Sequence, residues 1–301
     1  MIELLFAAAL MDTVIAQPVD NVIEVHEWGA VTFTQEHVTF GADPATDPEA
    51  PVIMPEMWTE PVARAPVVYF YGEPFSGTFT VSLSGGDFIE LYPQPDTHLD
   101  TSPMPELPSS SATWTISFAS PADDGGRRLA AEISCIGPEL LNLWRQPPSH
   151  ELEFSDGGSE SFIYYECTLT PLPEGMYYPV VQGNDGPELD SEYRGEMLLF
   201  TGSGDGIAAQ LKSDSGTEDI QLDDIPGILC GWAGGAMKTQ EIEALWGSWE
   251  DWVISGEWSG ETLLVFHLPQ STVESITSIQ LNTDEYSNVY YRRFYLGMIS
   301  Q

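Results

Sequence analysis

Apolar and polar residues alternate with a period of two along most of this chain, the mark of half-buried strands rather than helices. Gly77 to Ser84 shows it most cleanly, with Phe79, Val81 and Leu83 on one side and Thr78, Thr80, Ser82 and Ser84 on the other. Gly85-Gly86 then predicts a hairpin turn into Phe88–Tyr92. Trp114, Ile116 and Phe118 alternate again, and Asp123-Asp124-Gly125-Gly126 predicts a turn before a strand over Leu129–Ile136. Upstream, Ile23 to Thr34 reads as a strand pair or one long bent strand, with Gly29 as a bulge or kink. Pro66-Val67-Val68-Tyr69-Phe70-Tyr71 is apolar on both faces, as a central buried strand requires.

The second half continues as strands over Phe162–Thr170, Glu196–Thr201, Ile207–Lys212, Asp219–Leu222, Thr262–Leu268, Ser278–Asn282 and Val289–Met298. Gly202 to Gly206 is a tight turn, and Leu140–Trp144 suits a short helical turn. One stretch breaks the period of two. From Thr239, Ile242, Leu245, Trp246, Trp249 and Val253 fall on one helical face. Thr239 suits an N-cap, Glu241 and Glu243 suit the positive end of the dipole, and Gly256 ends the helix.

The expected fold class is therefore mainly β: a β-sandwich-like N-terminal part over 22–136, a connection at 137–160, and a second β-rich part over 161–301 carrying one amphipathic helix at 239–255.

Charge narrows the function. There are 47 acidic and 9 basic residues, a net charge of -38. Such a surface repels phosphate backbones, so nucleic acid is excluded as a partner. Halophilic adaptation explains the balance if the medium is salty, since the Debye length falls to roughly 3 Å at 1 M and screens the self-repulsion. Capture of Ca²⁺ by clustered carboxylates explains it otherwise. Asp156-Gly157-Gly158, Asp185 with Asp190, and Asp214 with Asp219 are the candidate calcium loops, none with EF-hand spacing.

Leu4 to Met11 is a short apolar run, and Val14-Ile15-Ala16 suits a small-residue cleavage site, so residues 1–16 read as a candidate signal peptide. Glu3 stands where a basic residue is usual. No stretch approaches the ~20 apolar residues of a transmembrane helix. Three cysteines are present; export permits a Cys135–Cys167 disulfide, and three buried thiols are the alternative.

The chemistry-bearing candidates gather at Val25-His26-Glu27-Trp28-Gly29. His26 could act as base or ligand with Glu27 or Glu90 as partner, although neighbouring residues of a regular strand face opposite ways. Trp28, Tyr69, Tyr71 and Tyr92 are the aromatic candidates for binding. The other histidines form no H-x-H or H-E-x-x-H pattern, and no G-x-S-x-G occurs.

Val25–Thr32, Arg64–Tyr71 with its P-V-x-Y-F-Y core, and Glu90-Leu91-Tyr92-Pro93 together resemble a family of secreted bacterial proteins of uncharacterised function. Tyr193-Arg194-Gly195 before Met197–Phe200, and Leu268-Pro269, are similar to later blocks of that family; Ala30-Val31 and Leu91 depart from it. The resemblance implies an extracellular or periplasmic location and no particular activity. Two classes stay open: a non-enzymatic module that binds a glycan, polymer or partner protein, and an extracellular hydrolase using carboxylates with or without His26.

The charge balance predicts that melting temperature rises with NaCl concentration. A flat response would rule out salt adaptation, and a shift with Ca²⁺ against a chelator would identify calcium instead.

Overall fold

Strand β1 (Val22–Phe33) explains the architecture, because both of its edges are hydrogen-bonded and both of its faces are covered. The computed structural model describes residues 22–33, 38–41, 66–101, 109–118, 137–169, 180–182, 187–189, 193–203, 206–256, 258, 261–283 and 288–300. One edge of β1 runs parallel to β18 (Asn288–Ser300), from Val22 opposite Asn288 to Phe33 opposite Ile299 without a shift. The other edge pairs first with β3 (Val67–Gly72) and then with β2 (Val38–Gly41), both antiparallel.

Gly29 is therefore not a bulge. It is where the partner changes, Trp28 opposing Val67 and Ala30 opposing Gly41. The expected bulge is corrected for a physical reason: the parallel ladder with β18 runs through Gly29 with no extra residue.

The large sheet has ten strands. Beyond β2 and β3 lie β10 (Ile163–Leu169) and β5 (Phe88–Tyr92). Beyond β18 lie β16 (Thr262–His267), β13 (Met197–Ser203), β14 (Gly206–Ser213) and β15 (Gly216–Ile220). A six-stranded sheet packs on one face, built from β4 (Ser76–Leu83), β6 (Thr97–Thr101), β7 (Ser109–Phe118), β8 (Leu152–Phe154), β9 (Ser159–Glu160) and β17 (Thr277–Thr283). A separate hairpin joins β11 (Val180–Gln182) to β12 (Pro187–Leu189).

The opposite face carries the helices α1 (Pro138–Trp144), α2 (Ile225–Ala233) and α3 (Thr239–Ser255), while α4 (Gln270–Ile276) packs at the end of the sheet-on-sheet core. The protein is thus mainly β, in three layers. Alternation along β1 and β3 feeds both cores. Trp28, Ala30, Val67, Tyr69 and Tyr71 enter the helical one; Ile23, Val25, Val68 and Phe70 enter the sandwich.

Several expectations change. Gly85-Gly86 does not close a hairpin; it carries the chain from β4 in the smaller sheet to β5 in the larger. Residues 137–160, expected as a connection between two parts, carry α1, β8 and β9, and strands from before and after them pair, β1 with β18 and β4 with β17. Four helices form among the described residues, of which α3 has the expected bounds. Its N-cap is Lys238 rather than Thr239: the Glu241 carboxylate reaches back to the Lys238 N–H at 2.5 Å. Gly256 closes it in the left-handed conformation at φ 68. Residues 1–16, the Asp123–Gly126 turn and the Leu129–Ile136 strand lie outside the described residues. Cys167 is a free, fully buried thiol; Cys135, its candidate bridge partner, lies outside the described residues.

Between the sheets, Glu27 on β1 meets Arg293, its register partner on β18. The Arg293 guanidinium also donates to Thr277 O at 2.9 Å and Thr277 Oγ1 at 2.6 Å, where α4 becomes β17. Tyr165 Oη donates to Glu27 Oε1 at 2.8 Å. With side chains 3% and 0% exposed, neither charge has water to fall back on. Arg293→Met alone should destabilise by about 3–5 kcal/mol, the cost of a buried unpaired carboxylate. Glu27→Leu with Arg293→Met should recover most of that loss. Urea unfolding of the single and double variants checks it.

Candidate functional site

His26 and Glu27 face opposite sides of the large sheet, as a period of two demands. Glu27 is committed to the sandwich. His26 lies under the first turn of α3, 3% exposed, with a carboxylate at each ring nitrogen. Nδ1 is 2.9 Å from Glu241 Oε2 and 3.1 Å from Oε1, and Nε2 is 3.1 Å from Glu24 Oε2. Both carboxylates are served together when each nitrogen carries a proton.

Glu241 is fully buried at the start of α3, where its charge also meets the helix dipole. Tyr71 Oη donates to Glu241 Oε1 at 3.0 Å, and the Tyr71 ring lies 4.7 Å from the His26 ring. Lys238 Nζ sits 4.2 Å above the Tyr71 centroid, a cation–π contact. Glu24 is 30% exposed and accepts from Arg292 Nη2 at 3.2 Å. Burial pushes the Tyr71 hydroxyl up, with the Glu241 charge adding to it, so Tyr71 is a neutral donor. Burial also raises Glu24, but the hydrogen bonds and charges of Arg292 and His26 outweigh it, and its carboxyl lies below the usual 4.5.

These residues form two rows across β3, β1 and β18. Tyr71, Glu24 and Tyr290 are in register at the rim, and Tyr69, His26 and Arg292 form the next row inward. The rim is open to solvent: Tyr290 is 50% exposed and the Arg292 side chain 41%.

The other candidates go elsewhere. Glu90 lies on β5, three strand spacings from β1 and so roughly 14 Å away across the sheet, which removes it as a partner for His26. It stands opposite Glu166 on β10 instead. Trp28, Tyr69 and Tyr92 are buried between sheet and helices, as is Tyr71, so they form no exposed platform. Tyr69 Oη donates to Trp144 O at 2.9 Å. Tyr92 Oη donates to Glu160 Oε2 at 2.8 Å, beside the Arg145–Glu160 ion pair.

Asp214 and Asp219 are exposed on the β14–β15 hairpin, where Asp219 accepts from Gln210 Nε2 at 2.8 Å. Asp185 and Asp190 lie outside the described residues. Among the described residues, no group of three or more His, Cys, Asp or Glu side chains is arranged to hold a metal ion. His150 donates to Gly72 O at 2.8 Å, and His267 stacks on Phe294 at 5.0 Å; burial lowers the pKa of both rings. His37 and the side chain of His98 fall outside the described set.

No family model, no curated protein and no solved structure matches the chain.

Sequence reasoning finds His26 but misses its partners. Glu241 reads as an ordinary first-turn acid of a helix, and nothing local links it to a strand 215 positions earlier. Arg292-Arg293 was the available signal, a doublet in a chain with only nine basic residues.

Because Glu24 lies below its ordinary value, its pairing contributes stability that is present above 4.5 and is lost as pH falls through the folded value. Glu24→Gln should therefore flatten the acid limb of a melting-temperature profile. The loss at neutral pH should stay under about 1 kcal/mol, as for other solvent-accessible pairs. An unchanged acid limb would contradict the assignment.

Proposed function

We propose that the chain is an exported, salt-adapted, non-enzymatic binding module whose ligand is a neutral glycan. The ligand sits on the rim ledge of Tyr290, Glu24, Arg292 and Lys238. The observation that carries this reading is a contrast within one patch: His26, Glu241 and Tyr71 are spent on one another in the interior, while Tyr290 and the Arg292–Glu24 pair stand open beside them. An exposed aromatic face next to a fork of donors and a carboxylate suits a sugar, which offers C–H faces and adjacent hydroxyls. Charge argues for a neutral one. Lys238 and Arg292 are offset locally by Glu24 and Glu241, and a net charge of -38 repels anionic polymers.

Salt adaptation is supported by where the cations go. Arg145, Arg292 and Arg293 are all paired with glutamates, two of which, Glu27 and Glu160, are buried. Export and membership of the secreted family rest on the leader-like residues 1–16 and the V-H-E-W-G and P-V-x-Y-F-Y blocks.

The hydrolase alternative keeps one observation, the cross-strand facing of Glu90 and Glu166. A neutral-glycan array read with the intact protein, Tyr290→Ala and Arg292→Ala decides between them. Retention weakened about tenfold or more by Arg292→Ala is expected, the worth of a hydrogen bond to a charged group. Turnover of a glycan that disappears in Glu166→Gln would replace the binding reading with the hydrolase.

A further inference from the structure

The last strand of the large sheet, β15, pairs with β14 on one side only. The alternation of an antiparallel ladder tells which of its backbone groups face outward. On β14, Gln210 and Lys212 turn their N–H and C=O groups to Leu199 and Met197 on β13. Ala209, Leu211 and Ser213 therefore turn theirs to Ile220, Glu218 and Gly216 on β15. The N–H and C=O groups of Thr217 and Asp219 are left pointing away from the sheet. Among the described residues no backbone group meets them, and Gly216 to Asp219 are exposed. We propose that this edge binds an extended basic segment of a partner protein, which joins the sheet as a further antiparallel strand.

Two other edges of the molecule are blunted. On β17, the Leu281 N–H donates to Tyr291 Oη at 2.7 Å and Thr277 O accepts from Arg293 Nη1 at 2.9 Å, so side chains of β18 occupy that edge. On β5 the ladder to β10 slips between Glu166 and Cys167, an irregularity of the kind that bends an edge away from new partners. The β14–β15 ladder has no slip. Charge is what guards it, in Glu218 and Asp219. That guard is selective. A second copy, itself carrying a net charge of -38, would set acid against acid on the same edge. A basic strand meets attraction at the same positions.

The register defines the partner further. Glu218 lies on the face of Leu211 and Ile220, which pack toward the helices. Asp219 lies on the opposite face beside Gln210, whose Nε2 donates to its Oδ1 at 2.8 Å. In the added strand, Thr217 and Asp219 occupy hydrogen-bonded positions. Glu218 occupies a non-hydrogen-bonded one, where facing side chains come closest. From its N-terminal end the partner thus presents a basic residue to Asp219, a second to Glu218 and a β-branched residue to Thr217. Arginine suits Glu218, since it grips a carboxylate with two parallel N–H groups. The edge is four strand spacings from β18, roughly 19 Å, so it is separate from the Tyr290 ledge and independent of the glycan reading.

The test titrates the isotope-labelled protein with a capped peptide of core Val-Lys-Arg-Val, in which Lys faces Asp219 and Arg faces Glu218. Amide shifts and slowed hydrogen exchange are expected at Thr217 and Asp219. Methylating the backbone nitrogens of the Lys and the second Val removes the two donors aimed at the edge. Affinity should then fall about tenfold or more, the worth of two hydrogen bonds. Methylating the Arg nitrogen, which points outward, should leave most of the affinity. Glu218→Lys, an exposed change, should keep the melting temperature and weaken the peptide severalfold. No binding, shifts away from residues 216–220, or indifference to the methylation pattern would overturn the proposal. So would self-association in salt that protects the same two amides, which would make a second copy the occupant.

Discussion

Strand β1 is enclosed on both edges and both faces, and the other layers follow from how it is enclosed. Its backbone is satisfied on one edge by β18 and on the other by β3 and β2 in tandem. Its side chains are divided between an aromatic core under α1–α3 and an aliphatic and aromatic core against the smaller sheet. A polar residue in such a strand needs a partner on its own face. The chain supplies one on each: Arg293 for Glu27 in the sandwich, and Glu241 with Glu24 for His26 under the helices.

The same rule explains the unusual use of cations. In a chain with 9 basic residues against 47 acidic ones, arginines are scarce, yet three are paired with glutamates, two of which would otherwise be stranded in the interior. Arg293 and Arg145 meet carboxylates that water hardly reaches, where screening by salt is weakest. A concentrated electrolyte thus relieves the repulsion among surface acids and leaves the interior pairs nearly intact.

What was legible in the sequence follows from the range of the forces involved. The alternation of Phe79, Val81 and Leu83, the double-sided burial of Val67–Tyr71 and the bounds of α3 were readable, because each depends on residues a few positions apart. Strand parity also showed in advance that His26 and Glu27 would part. The destination of Gly85-Gly86 was not readable, since a turn between two alternating strands looks the same whether it closes a hairpin or changes sheet. Helix α2 was missed because Gly227 and Gly231 weaken its local signal while packing of Ile225 and Leu229 sustains it. The partners of His26 were hidden for the same reason as the β1–β18 pairing: they come from the far end of the chain.

That pairing sets an order of events during synthesis. The strand at the centre of the large sheet is the first of the described strands to be synthesised, and the neighbour that seals its edge is the last of them. Contacts of such sequence separation form slowly, after a large loop-closure cost. Until β18 arrives, β1 presents an open parallel edge and Glu27 lacks its guanidinium. An N-terminal fragment that lacks β18 therefore cannot settle into the finished sheet, and the growing chain stays unfinished until β18 has been made.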